Sequence, residues 1–327
     1  LQQEFGLDAL CEALGPELAS LHEYWQPSLA QPLCSFAQRS GKELRPRLLA
    51  IAWSLAGGND PLPRELFGII EALHLGSLIV DDIEDGSRTR RGGPALHEQV
   101  GTPVALNAGN WLYFWPTLLI RRLQLGPGRE LDLRCSIDRA VLSAHYGQAL
   151  DLSVRVTDLR QVEVVEVVRG CSELKTGCLM ELATRAGAIV AGGSAECIEA
   201  LGRMGRELGI ALQMLDDLTS VTSERRVHKG REDVVLARAT WAWAWYAQTV
   251  DELSYGRLRQ LEQRVLDSEA HPDRVVAALR TRVAEVGRSC IIDQLASTVA
   301  RVETTLGQRN GCCELRDWVR ELANYEG

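Results

Sequence analysis

Apolar residues recur three and four positions apart along most of the chain, the spacing that predicts helices rather than strands. Residues 5 to 38 read as two short helices separated near Pro27 and Pro32. The basic turn Gly41 to Arg47 leads into an apolar helix over Leu48 to Ala56, and the cluster Gly57-Gly58-Asn59-Asp60-Pro61 marks a turn. Arg64 to Asp85 then reads as one long helix, and Thr102 to Ile120 as another, kinked at Pro116 because proline removes a ladder hydrogen bond. No proline occurs between Pro127 and Pro272, the strongest sign of a helical protein. Within that interval, segments 136 to 153, 158 to 188, 193 to 222 and 234 to 268 show helical periodicity broken by glycine or polar turns. Val162 to Val168 is β-branched, yet its flanks run on without turn residues and a lone strand has no partner, so it is read as helix. Lys229 to Asp233 reads as a charged loop. Trp241, Trp243 and Trp245 occupy alternate positions that diverge by about 200° on a helix, so they are expected to divide between the core and a helix-packed or subunit interface. From residue 272 onward the pattern is again amphipathic helix. The fold class this predicts is all-α.

Length and composition narrow the partners. The 327 residues, 46% hydrophobic and 24% charged, can bury a large core, and no linker divides them, so residues 1 to 327 are read as a single domain. A net charge of −8 argues against a nucleic-acid partner and offers no broad basic surface to an anionic membrane. No apolar run is long enough for a transmembrane segment. Nine scattered cysteines, an odd count without metal-ligand spacing or a secretory segment, point to reduced thiols and a cytoplasmic protein.

The chemistry gathers in residues 74 to 97. The apolar stretch Leu75 to Val80 runs directly into Asp81, Asp82 and Asp85, and Arg88, Arg90 and Arg91 follow. Asp81 and Asp85 lie one helical turn apart on one face, where like charges repel. A hard divalent cation relieves that repulsion, and Mg²⁺ is commonly held by one or two carboxylates together with phosphate oxygens. Guanidinium groups grip phosphates bidentately, so the segment reads as a site for a metal-bridged diphosphate. A solvated acidic helix end before a basic loop is the bland alternative. His74 lies two turns before Asp81, a position where a satisfied core histidine is the commoner occupant. Lys42 and Arg45 sit three apart at a loop-to-helix entry suited to an anion. Further along come Gly147-Gln148 with Asp151, then Lys175-Thr176-Gly177, where a glycine beside a hydroxyl and a cation marks a local break with exposed carbonyls. Gln213, Asp216 and Asp217 share one face of a later helix, a second acidic cluster ending an apolar run. Each of these alone reads as core packing or a helix cap; their joint occurrence does not.

In this order, Gly-Lys-x-x-Arg-Pro, Asp-Asp-x-x-Asp with Arg-Arg-Gly, Lys-Thr-Gly and Gln-x-x-Asp-Asp make residues 40 to 245 resemble the trans-isoprenyl diphosphate synthases, the polyprenyl synthetase family, and within it the geranylgeranyl diphosphate synthases. The resemblance implies an isoprenoid-synthase-type bundle of long helices around a central cavity, a homodimer, and three Mg²⁺ ions acting as Lewis acids. By the same resemblance Asp81, Asp82, Asp85, Asp216 and Asp217 form the metal motifs, with Gln148 and Asp151 supporting the metal-water shell. Arg90, Lys175 and Lys229 would hold an allylic prenyl diphosphate, and Lys42, Arg45, His74 and Arg91 isopentenyl diphosphate. Thr176, Gln213 and the Lys175 carbonyl would face the allylic cation. Small Gly76 and Ser77 would let the product grow past them, and His145 and Tyr146 would floor the cavity near twenty carbons. Two departures stand out: Ser220 replaces the third aspartate that many members carry, and the loop around Lys229 is short. The alternatives are a class I terpene cyclase, which has no isopentenyl diphosphate to hold, and a catalytically weak subunit of a hetero-oligomeric synthase.

Overall fold

A computed structural model describes residues 20–39, 41 and 43–324. Helices dominate, as the periodicity predicts, and the single sheet among these residues is a two-stranded hairpin, β1 (Thr89–Arg90) against β2 (Gly93–Pro94). The chain forms two compact units, the first running to Ala50 and from Asp60 to Cys135, the second comprising Ile51–Asn59 and Ser136 onward.

In the first unit, α1 (His22–Trp25) and α2 (Gln31–Ala37) are joined by a π-helical turn, Gln26–Ala30, into one helical run. The expected gap near Pro27 and Pro32 is absent: Pro27 falls at the start of the π-helical turn and Pro32 at the start of α2, and the helical backbone runs on through both; residues 5–19 of that reading lie outside the described residues. The helix α3 (Leu44–Leu55) begins just after the Gly41 turn, and α4 (Arg64–Glu84) is the expected long helix. Leu66, Ile69, Ile70, Leu73 and Ile79 bury its apolar face. It packs on α6 (Thr102–Phe114) and α7 (Pro116–Arg122), which follow the short α5 (Leu96–Val100). The break between α6 and α7 falls at Trp115, one residue before the kinking proline. Backbones of α4 and α6 approach at two glycines: a Cβ on Gly76 would lie 2.9 Å from the Gly109 carbonyl, and one on Gly109 would lie 3.0 Å from Val80 Cγ2.

The second unit is built on α11 (Ala195–Thr222), packed between α10 (Cys178–Val190) and α15 (Asp273–Leu306). The long α8 (Pro127–Ser153) precedes α9 (Val164–Ser172), which shows that the β-branched stretch is helical. A π-helical turn, Glu173–Gly177, joins α9 to α10. One expectation is corrected here. Lys229–Asp233 is not a loop but the middle of α12 (Val227–Val235), and the broken helical periodicity over 234 to 268 resolves into α13 (Trp241–Thr249) and α14 (Glu252–Leu266). Distant pairing stops α12: Ala237 takes a positive φ of 51° and its carbonyl accepts the Val156 N–H at 2.8 Å, while Arg155 bridges Arg238. Asp251 then caps α14 through the Ser254 N–H at 2.7 Å. All three tryptophans of α13 are core residues, none assigned to a surface. Trp243 packs edge-on against Tyr255, and Gly287 of α15 leaves room for Trp245, whose ring would lie 2.8 Å from a Cβ there. The last helix is α16 (Cys312–Ala323).

Candidate active site

In the first unit the apolar face of α4 carries its last turn to a partly buried position, and that turn bears Asp81, Asp82 and Asp85. Asp82 is fully buried, and burial pushes its carboxyl up against the opposing pull of Arg90. Arg90 Nε donates to Asp82 Oδ1 at 2.7 Å, its Nη2 reaches the same oxygen, and Nη2 lies 3.4 Å from Asp81 Oδ2. The β1–β2 hairpin aims Arg90 this way. Its central residues Arg91 and Gly92 have φ of 51° and 72°, a turn with positive φ at both positions that suits the strand twist. Arg39 braces the hairpin from behind, donating to the carbonyls of Arg90 at 3.1 Å and Pro94 at 2.7 Å while stacking over Phe36.

Beside this cluster lies a basic one. The Arg91 guanidinium rests on Gly41, within 3.0 Å of where a Cβ would stand. Arg45 Nη1 donates to His74 Nε2 at 3.1 Å, which places the imidazole proton on Nδ1, an atom buried without a partner among the described residues. Burial first, then Arg45 and Arg91, hold His74 well below the usual imidazole range, so it is neutral. Burial raises the carboxyl of Glu71 while Arg45 and Arg91 oppose the rise. Two arginines around a neutral histidine make a place for an anion. Lys42 lies outside the described residues.

The second unit presents its groups around the π turn. A π turn widens the helix by one residue: the Cys178 N–H bonds back to the Glu173 carbonyl, five residues away, and the Lys175 carbonyl lies 3.5 Å from the Cys178 thiol instead. Two glycines let neighbours reach this backbone. A Cβ on Gly147 of α8 would stand 2.7 Å from the Lys175 nitrogen, and one on Gly209 of α11 would stand 2.7 Å from Gly177 Cα and 3.0 Å from the Thr176 carbonyl. A hydrogen-bonded chain then fixes the side chains. Thr176 Oγ1 donates to Gln213 Oε1, Gln213 Nε2 to Asp217 Oδ1, the Trp241 N–H to Asp217 Oδ2, and Trp241 Nε1 to Ser172 Oγ, each at 2.8 Å. Lys175 Nζ donates to Asp151 Oδ2 at 2.6 Å, and Arg238 Nη1 lies 3.3 Å from the same oxygen. Asp216 is partly exposed, and its Oδ1 accepts from Arg226 Nη1 at 2.8 Å.

The structure thus gathers Asp81, Asp82, Asp85 and Arg90 in one cluster, and Arg45, His74 and Arg91 in another. In the second unit it gathers Asp151 with Lys175, and Thr176 with Gln213 and Asp217. Within the protein itself these residues also have structural partners. Asp217 is turned into the core with both oxygens taken by protein donors, Gln213 Nε2 and the Trp241 N–H, and burial, with Asp233 nearby, pushes its carboxyl up to about 7. Asp82 and Asp151 likewise serve as anchors for Arg90 and Lys175. Gly76 is a helix-contact glycine against Gly109, whereas half-buried Ser77 turns its hydroxyl to the His74 carbonyl at 2.8 Å. His145 and Tyr146 are exposed, His145 bonding the Val141 carbonyl of its own helix and Tyr146 being 69% exposed. Gln148 is half-buried on α8, and Lys229 is a half-buried residue of α12 that acts electrostatically on Asp217 and Asp233. Sequence reasoning missed Arg226 and Arg238, whose partners are not neighbours in the sequence.

No three His, Cys, Asp or Glu side chains among the described residues are gathered closely enough to hold a metal ion by themselves. The donor set nonetheless fits a hard divalent cation. It consists of carboxylate oxygens, and Asp82 Oδ2 is buried with no hydrogen-bond partner among the described residues.

The predominantly helical fold is shared with solved isoprenyl diphosphate synthases. The geranylgeranyl pyrophosphate synthetase of Pyrococcus horikoshii superposes with a TM-score of 0.74 at 22% identity over 99% of this chain and 96% of that one. The polyprenyl synthase of Caulobacter crescentus, solved with calcium and isoprenyl diphosphate, superposes with a TM-score of 0.77 at 20% identity over 98% of each chain. Among curated relatives, a geranylgeranyl diphosphate synthase of Methanosarcina mazei is 34% identical over 57% of either chain, and that of Sulfolobus acidocaldarius 29% identical over 61% of this chain and 60% of its own. The chain thus spans about three fifths of the length of the curated relatives it first matches. The polyprenyl synthetase family model matches residues 26–279, and the chain belongs to that family.

Proposed function

We propose that this protein joins isopentenyl diphosphate to an allylic prenyl diphosphate and releases an all-trans prenyl diphosphate of twenty carbons. The observation that carries the reading is the pairing of Arg45 and Arg91 around a neutral His74 beside the acidic end of α4. A cyclase that ionises a single prenyl diphosphate has no use for a second anion site.

Divalent cations, three Mg²⁺ ions by the family resemblance, would be held by Asp81, Asp85 and Asp216, and would supply Lewis acidity to the leaving diphosphate. The protein's own part is positioning. Lys175, Arg90 and Lys229 bring cations to the oxygens where charge develops as the allylic C–O bond breaks. Lys42, Arg45, His74 and Arg91 hold the second diphosphate. The Lys175 carbonyl, Thr176 and Gln213 turn electronegative atoms toward the allylic cation. The isopentenyl double bond attacks that cation, a C–C bond forms, and the proton lost passes to the released diphosphate. Asp217, Asp151 and Asp82 keep Gln213, Lys175 and Arg90 in place, and by the family resemblance Gln148 and Asp151 would support the metal-water shell.

Support for a homodimer comes from the family resemblance and from Leu142 and Tyr146, exposed apolar residues one turn apart on α8. Among the described residues every cysteine is a free thiol, which supports the cytoplasmic reading, and no helix is long and apolar enough to cross a membrane. The single-domain reading rests on the family model, which runs across both compact units.

The test is incubation of purified protein and Mg²⁺ with isopentenyl diphosphate plus dimethylallyl, geranyl or farnesyl diphosphate, each also supplied alone. Linear elongated products that require isopentenyl diphosphate are expected by mass spectrometry. Hydrocarbon released from an allylic diphosphate alone would mean a cyclase, and an inactive homodimer would mean a subunit awaiting its partner.

A further inference from the structure

The end of α11 is not a bare pair of carboxylates. Asp217 faces the core. Asp216 faces outward and is held by Arg226, a residue of the turn before α12 whose own N–H bonds the Ser223 carbonyl at 3.1 Å. The same Nη1 that bonds Asp216 Oδ1 also donates to Thr219 Oγ1 at 2.8 Å. The Thr219 hydroxyl hydrogen points back to its own helix, toward the carbonyls of Leu215 at 2.9 Å and Asp216 at 3.1 Å, so its lone pairs are left to accept. Two acceptors on adjacent turns of α11 therefore fix the guanidinium.

Position 220, one turn beyond Asp216, carries a serine rather than a third carboxylate. Ser220 is buried, its hydroxyl donates to the Asp217 carbonyl at 2.8 Å, and α12 presses on it so closely that a Cβ on Gly230 would lie 2.5 Å from the Ser220 carbonyl. Asp216 and Arg226 form an ion pair.

We propose that Arg226 is a tethered counter-ion that competes with a divalent cation for Asp216, so that the second acidic cluster takes up metal only as the guanidinium is displaced. The inference rests on the reading of Asp216 as a metal ligand. A released guanidinium has a matching acceptor in a diphosphate, which it can grip bidentately. Arg226 would thus hold Asp216 ready before substrate arrives and yield it when metal and diphosphate come together.

The experiment is titration of Mn²⁺, without substrate, into the purified full chain, followed by the electron paramagnetic resonance of the free ion. Wild type, Arg226→Ala, Arg226→Lys and Asp216→Asn are compared, with circular dichroism to establish that each is folded. The ion that Asp216→Asn loses is expected to bind about tenfold more tightly in Arg226→Ala, equivalent to about 1.4 kcal/mol. Arg226→Lys keeps the charge and should return most of the way to wild type, which a merely structural role for the arginine would not produce. Unchanged Mn²⁺ affinity in Arg226→Ala, with an ion lost in Asp216→Asn, overturns the inference and leaves the functional reading standing. No ion lost in Asp216→Asn overturns both.

Discussion

Gly209 is where the catalytic reading is most exposed to a physical test. Its missing side chain lets α11 touch the π turn, and a Cβ there would meet backbone atoms, Gly177 Cα at 2.7 Å and the Thr176 carbonyl at 3.0 Å. To regain ordinary contact the π turn must retreat by about 0.7 Å, and overpacking of this kind costs roughly 1–3 kcal/mol. Alanine also gains about 1 kcal/mol of helix propensity over glycine, which would mask part of the cost. Gly170 supplies the reference: it lies on α9 just before the same turn, and a Cβ there meets nothing within 4 Å. Gly170→Ala should therefore stabilise, and the difference between the two variants isolates the contact. Gly209→Ala should melt roughly 2–12 °C below Gly170→Ala by circular dichroism. Because the retreat moves Thr176 and the Lys175 carbonyl, turnover in the elongation assay should fall by about ten- to a hundredfold, while Gly170→Ala keeps its rate. Equal melting temperatures and equal rates for the two variants would refute the claim that this close approach places Thr176 and the Lys175 carbonyl for the proposed reaction.

Asp81→Ala should abolish turnover and leave the helical circular dichroism signal intact; near-normal activity would remove the metal-diphosphate reading. Ser77→Phe should shorten the product, whereas Gly76→Phe should cost stability instead, since even a Cβ at Gly76 would lie 2.9 Å from the Gly109 carbonyl; product analysis beside thermal melting separates the two. Glu262 of α14 is fully buried, neither of its oxygens has a partner among the described residues, and burial alone pushes its carboxyl up to about 8. The unfolded chain releases this proton near the ordinary carboxylate value and the folded chain only near 8. Stability should therefore fall as pH rises between them, by up to about 1.4 kcal/mol per pH unit. Urea midpoints at pH 5, 6.5 and 8 should show Glu262→Gln free of that slope, and parallel curves for both proteins would count against it.

The helices that proved easiest to read, α4 and α11, have one wet and one dry face, so their periodicity records their packing directly. The π turn was legible too, because a glycine after Lys175-Thr176 is costly inside a regular helix. Misreadings arose where a distant partner decides. Lys229–Asp233 looks like a solvated loop, yet it winds into α12, which Gly230 packs on the Ser220 carbonyl. The end of α12 is set by Val156, far back in the chain, and no local pattern announces it. Asp251 was legible as a cap for α14 and was overlooked because the apolar pattern runs through it. Most of the candidate site residues carry a motif, but the protein donors that turn Asp217 inward do not. Arg238 reaches Asp151 across 87 positions, and Arg226 reaches Asp216 only because the chain reverses after α11.

The extra residue in the π turn has a rotational consequence for α10. One added residue turns everything after it by about 100° about the helix axis relative to an unbroken helix. Every residue of α10 is buried except Arg185, which reaches out to Glu199 at 2.9 Å, and Glu181, one turn earlier, is neutralised inside by Arg206. An α10 without the insertion would sweep Arg185 into the apolar interior and tear Glu181 from its partner. Excising a single residue from Glu173–Gly177 is therefore not a local repair but a change of gear for the whole helix, and the charges of α10 hold the turn in place as firmly as the turn orients them.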